Sequence, residues 1–119
     1  MNFVSTKPIY QQITDYFCSL ILAGTWEENK RIPSVRDIAA QIEVNPNTVM
    51  RSYSFLQENG IIYNKRGIGY FLAENAKQIT LKIKQDEFMH NTLPTIFTTL
   101  DLLNIPIDKI VELYKKHKN

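Results

Sequence analysis

Residues 32–72, IPSVRDIAAQIEVNPNTVMRSYSFLQENGIIYNKRGIGYFL, decide the fold. Their spacing predicts a helix, a tight turn, a second helix and a short β-hairpin with a basic tip. The first helix starts after Ile32-Pro33, where Ser34 and then Asp37 form a capping-box pattern. Val35, Ile38, Ala39 and Ile42 follow at helical spacing. Glu43-Val44 makes the turn. Asn45 is then an N-cap, and Pro46 takes the first helical position, where its missing N–H costs nothing. This second helix runs to about residue 59, with Val49, Tyr53 and Leu56 facing inward and Gly60 supplying the left-handed residue past its end. Residues 61–63 and 68–72 read as strands around the turn Asn64-Lys65-Arg66-Gly67. A helix-turn-helix followed by a wing is an arrangement whose usual use is gripping double-stranded DNA.

Upstream, Ile9, Ile13, Phe17, Leu20 and Ile21 make one stripe of a helix over residues 9–23, opened by Pro8 and closed by Gly24. A polar connector follows, in which Trp26 packs back onto the core, with an interface role as the alternative. Past about Glu74 the pattern is helical again, with Ile79, Ile83, Leu93, Phe97, Leu100 and Leu103 as apolar positions and Pro94 as a kink or restart. Asn104-Ile105-Pro106 breaks this helix, and residues 107–117 make a last one with Ile107, Ile110, Val111 and Tyr114 on one face. Two helices in a segment of about 40 residues cannot enclose a core alone. The expected architecture is therefore mostly α with a small β-hairpin. A winged helix-turn-helix domain covers residues 1–74, and a two-helix dimerisation segment covers residues 75–119, with Ile79, Ile83, Phe97 and Leu100 as its contacts.

The chain has 119 residues, a formal net charge of +2 and 44% apolar residues, enough for one ordinary domain with a packed core. Residues 1–75 hold seven basic and seven acidic groups, so net charge does not make this a DNA binder. The positive groups must instead gather on one face. No run approaches the roughly 20 apolar residues of a membrane span. The opening MNFVSTKPIYQQ has no basic region before a long apolar stretch, so no signal peptide is expected. Cys18 is the one cysteine; it cannot form an internal disulfide and fits a reducing cytoplasm. No His or Lys flanks it, which favours a semi-buried apolar role over a reactive thiol.

Catalysis finds no support. His90 and His117 are isolated, nothing resembles a metal site, and no glycine loop cradles phosphate, so neither metal nor cofactor is expected. The chemistry lies in exposed polar groups. Arg36, in the first turn of its helix, suits a phosphate clamp, with pairing to Asp37 or Glu43 as the alternative. Asn47 can bond the N6 and N7 of adenine, and Thr48 can touch a thymine methyl or a phosphate. Asn45 is explained by its cap alone. Arg51, one turn on, can reach a phosphate or a guanine edge. Lys65 and Arg66 at a hairpin tip suit the DNA backbone or minor groove, or are simply a solvated turn, while Gly67 permits close approach.

Together PIYQQITDYFCSLILAG, RIPSVRDIAAQIEVNPNTVMRSY and the ENG–II–KRGIGYFL wing resemble the GntR family of bacterial transcription regulators, and its YtrA-like subfamily in the Asn-Pro-Asn-Thr-Val motif and short tail. The resemblance implies a homodimer on a pseudo-palindromic operator, assembled through the C-terminal helices, and repression, often of a neighbouring transporter operon. The family's DNA-contacting positions fall on Ser34, Arg36, Asn45, Asn47, Thr48, Arg51, Lys65, Arg66 and Gly67. Larger relatives carry an effector-binding or aminotransferase-like domain that a chain of this length does not accommodate, so no small-molecule effector is assigned. Three departures stand out: Glu43 replaces a usual Gly in the turn, Asn29 ends what is usually a Pro-Gly pair, and Met50 replaces an Arg that contacts DNA in other subfamilies. The competing reading is a winged-helix protein-interaction module, and the zero net charge of residues 1–75 is its main support.

Overall fold

The computed structural model describes residues 7–118. The expectation of no signal peptide rests on residues 1–12, of which the first six lie outside the described residues. The chain divides into two compact units, residues 1–82 and 83–119.

The first unit begins with α1 (Ile9–Leu22), ended by Ala23 and by Gly24 at φ 81°. Its apolar stripe is only partly used: Ile13, Phe17 and Ile21 are buried, whereas Ile9 is exposed. The first turn of α1 overhangs the core, so Ile9 lines an open apolar cleft with Gln12, Ile13, Tyr16 and Ile42. Thr14 and Cys18 fill the buried face in its place, and Cys18 is fully enclosed rather than semi-buried.

Next come α2 (Val35–Ile42) and α3 (Pro46–Glu58), each opened by the expected cap. The Asp37 N–H donates to Ser34 Oγ at 3.1 Å, and the Asn47 N–H donates to Asn45 Oδ1 at 2.8 Å. The turn between them does use a left-handed residue, with Glu43 at φ 56° and ψ 51°. For a residue with a Cβ this costs roughly 1–2 kcal/mol. Two backbone amides oppose that cost: the Glu43 N–H donates to the α2 carbonyls at Ala39 and Ala40, and the Val44 N–H reaches the Ala39 carbonyl at 2.9 Å. Asn29 likewise sits at φ 65°, as its tolerance of that region predicts.

The wing is β1 (Ile62–Lys65) paired antiparallel with β2 (Gly69–Leu72). Lys65 pairs with Gly69, so the turn is Arg66-Gly67-Ile68, starting two positions and ending one position later than the spacing suggests, closed by the Ile68 N–H on the Lys65 carbonyl at 2.9 Å. Residues 29–32 run antiparallel along the other edge of β2, through Asn29 N–H to Leu72 O, Leu72 N–H to Lys30 O and Ile32 N–H to Tyr70 O. This pairing satisfies an edge that sequence periodicity left open.

The core centres on Tyr53. Its ring meets Phe17 (5.5 Å between centroids), Trp26 (6.3 Å) and Tyr70 (5.1 Å), and Trp26 stacks on Phe17 at 5.1 Å, as expected of a connector residue folded inward. The Tyr53 hydroxyl donates to the Pro33 carbonyl at 2.7 Å, just ahead of α2. Burial, followed by the neighbouring Tyr70, pushes the Tyr53 hydroxyl well above the ordinary tyrosine range.

From residue 76 the backbone is helical through α4 (Ala76–Glu87), a π turn (Phe88–Thr92) and α5 (Leu93–Leu102). The division between the units falls inside α4: Ala76 and Thr80 are buried in the first unit, and Ile79 Cδ1 lies 4.0 Å from where a Cβ at Gly60 would stand. The π turn is the form the expected Pro94 interruption takes. A wider turn accommodates the proline ring and its missing N–H without ending the helix. Asn104 at φ 56° closes α5 before α6 (Ile107–Lys118), so the segment is one helix interrupted at the π turn and one last helix. In the second unit, among the described residues, only Leu100 is buried. No described helix is long and apolar enough to cross a membrane.

Tyr53→Phe should lower stability by about 1–3 kcal/mol, because the Pro33 carbonyl loses its donor in a buried site. Denaturant titrations measure this directly. The pH dependence separates the hydroxyl from the ring. A raised pKa stabilises the wild-type fold fully below the ordinary tyrosine range and lets stability fall as pH rises through it. The Phe variant should lose part of that alkaline fall.

Candidate nucleic-acid interface

The polar start of α3 is built by its cap. Asn45 and Pro46 set the first turn, which leaves Asn47 exposed and Thr48 half-buried. With Val49, Ser52, Tyr53 and Leu56 buried, the opposite face of α3 presents Asn47, Arg51 and Ser54 to solvent. Met50 is exposed beside them.

The expected contact residues differ in what they still have to offer. The Ser34 and Asn45 side-chain oxygens already accept backbone N–H groups; Asn45 keeps its amide NH2, and Ser34 keeps its hydroxyl proton. Arg36 is exposed in the first turn of α2 and makes no ion pair with Asp37 or Glu43. Arg51 lays its guanidinium over the Tyr10 ring, 3.7 Å from the centroid. Lys65 ends β1 with its Nζ 4.8 Å from the centroid of Phe71, while Arg66 and Gly67 (φ 80°) form the tip.

Sequence reading missed Arg31. Its guanidinium crosses the wing so closely that a Cβ on Gly69 would stand 2.9 Å from Arg31 Nε. Gly69 is therefore glycine for space as well as for its φ of 143°. Because Arg31 pairs with Phe71 and Lys65 pairs with Gly69, both cations lie on the outer face of the wing, near its tip. Only the pairing of residues 29–32 with β2 reveals this, and no local pattern announces it.

Charge placement answers the zero net balance of this region. Among the described residues Arg31, Arg36, Arg51, Lys65 and Arg66 have no carboxylate within salt-bridge distance. Two of the acids are engaged elsewhere. Asp15 pairs with Lys7 at 2.8 Å, and Glu28 accepts the Lys77 N–H at 3.0 Å at the start of α4, where helix-end charge favours an anion.

The expected dimer contacts fall in both units. Ile79 lies half-buried in the first unit; Ile83 is half-buried in the second, where Phe97 is exposed and Leu100 buried. Phe97 and Leu100 share a shallow cleft with Asp101, Ile105 and Ile107. No described group of three His, Cys, Asp or Glu side chains could hold a metal ion.

A chain with this fold and this set of unpaired cations matches the family described as bacterial regulatory proteins, gntR family, over residues 9–72. The chain belongs to that family of helix-turn-helix transcriptional regulators. It is 43% identical over 76 residues to the Bacillus subtilis regulator YhcF, covering 64% of this chain and 63% of YhcF, so the match spans under two thirds of that relative's length. The B. subtilis transcriptional repressor YtrA is 33% identical over 112 residues, covering 94% of this chain and 85% of YtrA. Among solved structures, a putative GntR-family regulator from Bacteroides thetaiotaomicron superposes with a TM-score of 0.77 at 44% identity, covering 92% of this chain and 96% of that one. The DNA-binding domain of AraR in complex with operator ORR3 superposes with a TM-score of 0.55 at 25% identity, over 61% of this chain and 88% of that one.

The two roles open to Asn45 can be separated. Asn45→Ala should cost about 0.5–2 kcal/mol of stability by removing the cap acceptor. Asn45→Asp keeps that acceptor and should retain wild-type stability while losing the amide donor. Thermal melts test the first statement, and DNA binding by the folded Asp variant shows whether the amide is used.

Proposed function

We propose that the protein is a homodimeric, sequence-specific DNA-binding repressor acting in the cytoplasm on a pseudo-palindromic operator, with a neighbouring transporter operon as its target. The observation that carries this reading is the set of unpaired cations around a cap-started α3 and a basic wing. The operator complex of AraR and the repressor activity in YtrA's name support it as relatives' properties. In this reading residues 1–74 are the DNA-binding domain and residues 75–119 the dimerisation segment. Helix α3 enters the major groove, where Asn47, Thr48 and Arg51 read or register bases. Arg36, Lys65 and Arg66 hold phosphates, with Ser34, Asn45 and Gly67 at the margin. Arg31 joins them on the wing. Two half-sites one helical turn apart set the two α3 helices about 34–36 Å from each other.

Dimerisation is assigned mainly to the second unit, where Phe88, Met89, Phe97, Leu102, Leu103 and Tyr114 are exposed together with little buried beneath them. An apolar surface of that extent on so small a unit calls for a partner. Of the expected contacts, Phe97 and Ile83 fit this role best, and Leu100 forms the floor beneath Phe97. Ile79 contributes within its own unit.

Selection of bound sequences from random duplexes tests the function. An inverted repeat is the expected result. Recovery of no motif, with binding insensitive to salt, would favour the protein-interaction module instead. On the recovered duplex, the Lys65→Ala/Arg66→Ala double variant should lower affinity across all sequences and flatten the log–log salt slope by about two units, since each lost phosphate contact removes about 0.9.

Assembly is tested separately by sedimentation at micromolar concentration. The expected species is a dimer, and Phe97→Asp should shift it to monomer; a monomeric wild type would rule out the dimer.

A further inference from the structure

We infer that Tyr10 is a positioning residue for DNA recognition: it holds Arg51 flat and ordered on the surface of α3 before DNA arrives. This rests on the DNA-binding reading above and goes beyond it by assigning a role in α1, outside the helix-turn-helix and the wing.

The Arg51 guanidinium carbon lies 3.7 Å from the Tyr10 ring centroid, closer than a general cation–π contact requires. Stacking occupies only the π face of the guanidinium. Its in-plane N–H edge stays available, and among the described residues no carboxylate takes it. Arg51 stands one turn beyond Asn47 on the same exposed face of α3, so the ordered guanidinium belongs to the helix face that carries the Asn47 amide.

A buried hydroxyl pair anchors the backbone that carries this ring to α3. Thr14 Oγ1 and Ser52 Oγ each donate to the Tyr10 carbonyl at 2.8 Å, and the two oxygens lie 2.9 Å apart. Both side chains are buried. Ser52 is the residue next to Arg51, so the Tyr10 backbone and the root of the Arg51 side chain are tied to the same point of α3. An ordinary surface arginine loses its rotamer freedom on binding. Arg51 has lost much of it already, and the affinity gained is what pre-ordering one long side chain supplies.

A structural role for Tyr10 and a positioning role differ in one respect: only the second acts through Arg51. The test compares wild type, Tyr10→Phe, Tyr10→Leu, Arg51→Ala and the Tyr10→Leu/Arg51→Ala double variant on the selected duplex and on unrelated duplex of equal length. Leu keeps apolar bulk in the position while removing the π face. Tyr10→Leu should weaken binding to the selected duplex by about 3- to 10-fold, the range that ordering one side chain spans. It should add nothing in the Arg51→Ala background, and Tyr10→Phe should bind as wild type. In the free proteins the Arg51 Nε–H resonance should be shifted upfield by the ring in wild type and Tyr10→Phe, and that shift should vanish in Tyr10→Leu. Equal losses in both backgrounds, or wild-type binding by Tyr10→Leu, would overturn the inference while leaving DNA recognition intact. Failure of wild type to prefer any duplex would remove the DNA-binding reading and this inference with it, even if the NMR signature of the stack persisted.

Discussion

Everything in the first unit is referred to one side chain. Tyr53 projects from α3 into the space between α1, the connector and the wing, and its ring has a neighbour on each: Phe17, Trp26 and Tyr70. Aromatic pairs in edge-on geometry contribute about 0.5–1.5 kcal/mol beyond area burial, so the cluster is a substantial part of a small core. The hydroxyl then fixes a fourth element by holding the Pro33 carbonyl where the chain turns into α2. The angle of α3 against α2 and the seat of the wing on α3 are thus set from the same residue. A recognition helix is useful only if its exposed face is held steady, and here the holding is done by the residue on its buried face.

Local chemistry was legible and long-range pairing was not. Caps, glycine stops and the Pro46 start are written within four residues of where they act, so α2 and α3 could be read closely. Ile9 shows the limit of periodicity. It falls on the α1 stripe, but the core ends before the first turn, and no pattern within a helix states where its partner stops. The hairpin turn starts two positions later because Asn64 and Lys65 can serve either as turn or as strand, and only their pairing with Tyr70 and Gly69 decides. The segment 29–32 lacks an alternating pattern altogether; its strand-like pairing is imposed by the open edge of β2.

The candidate interface divides in the same way. Arg36, Arg51, Lys65 and Arg66 were identified from residue type and position, and their lack of acidic partners is what the structure adds. Arg31 and Tyr10 were not identified because each acts through a residue distant in sequence, Gly69 for one and Arg51 for the other. Glu43 belongs to a third kind. It stands where Gly is usual, and the glutamate takes the left-handed conformation itself. Both the Glu43 and Val44 amides return to α2 carbonyls there, so the strain is held by the hydrogen bonds that end the helix.

The two units face different physical problems. The first encloses an aromatic core and satisfies the free edge of its small sheet. The second leaves most of its large apolar side chains in water and, among described residues, buries only Leu100. A two-helix remainder of that size gains too little from self-burial to offset the entropy of ordering it. If a second copy covers that surface, as proposed, then assembly and the order of the C-terminal helices become one equilibrium. DNA affinity inherits its concentration dependence: a single α3 reads one half-site with a handful of contacts, whereas linking two of them makes the second half-site an intramolecular event. Recognition would then depend on the apolar surface of the second unit as strongly as on the cations of the first.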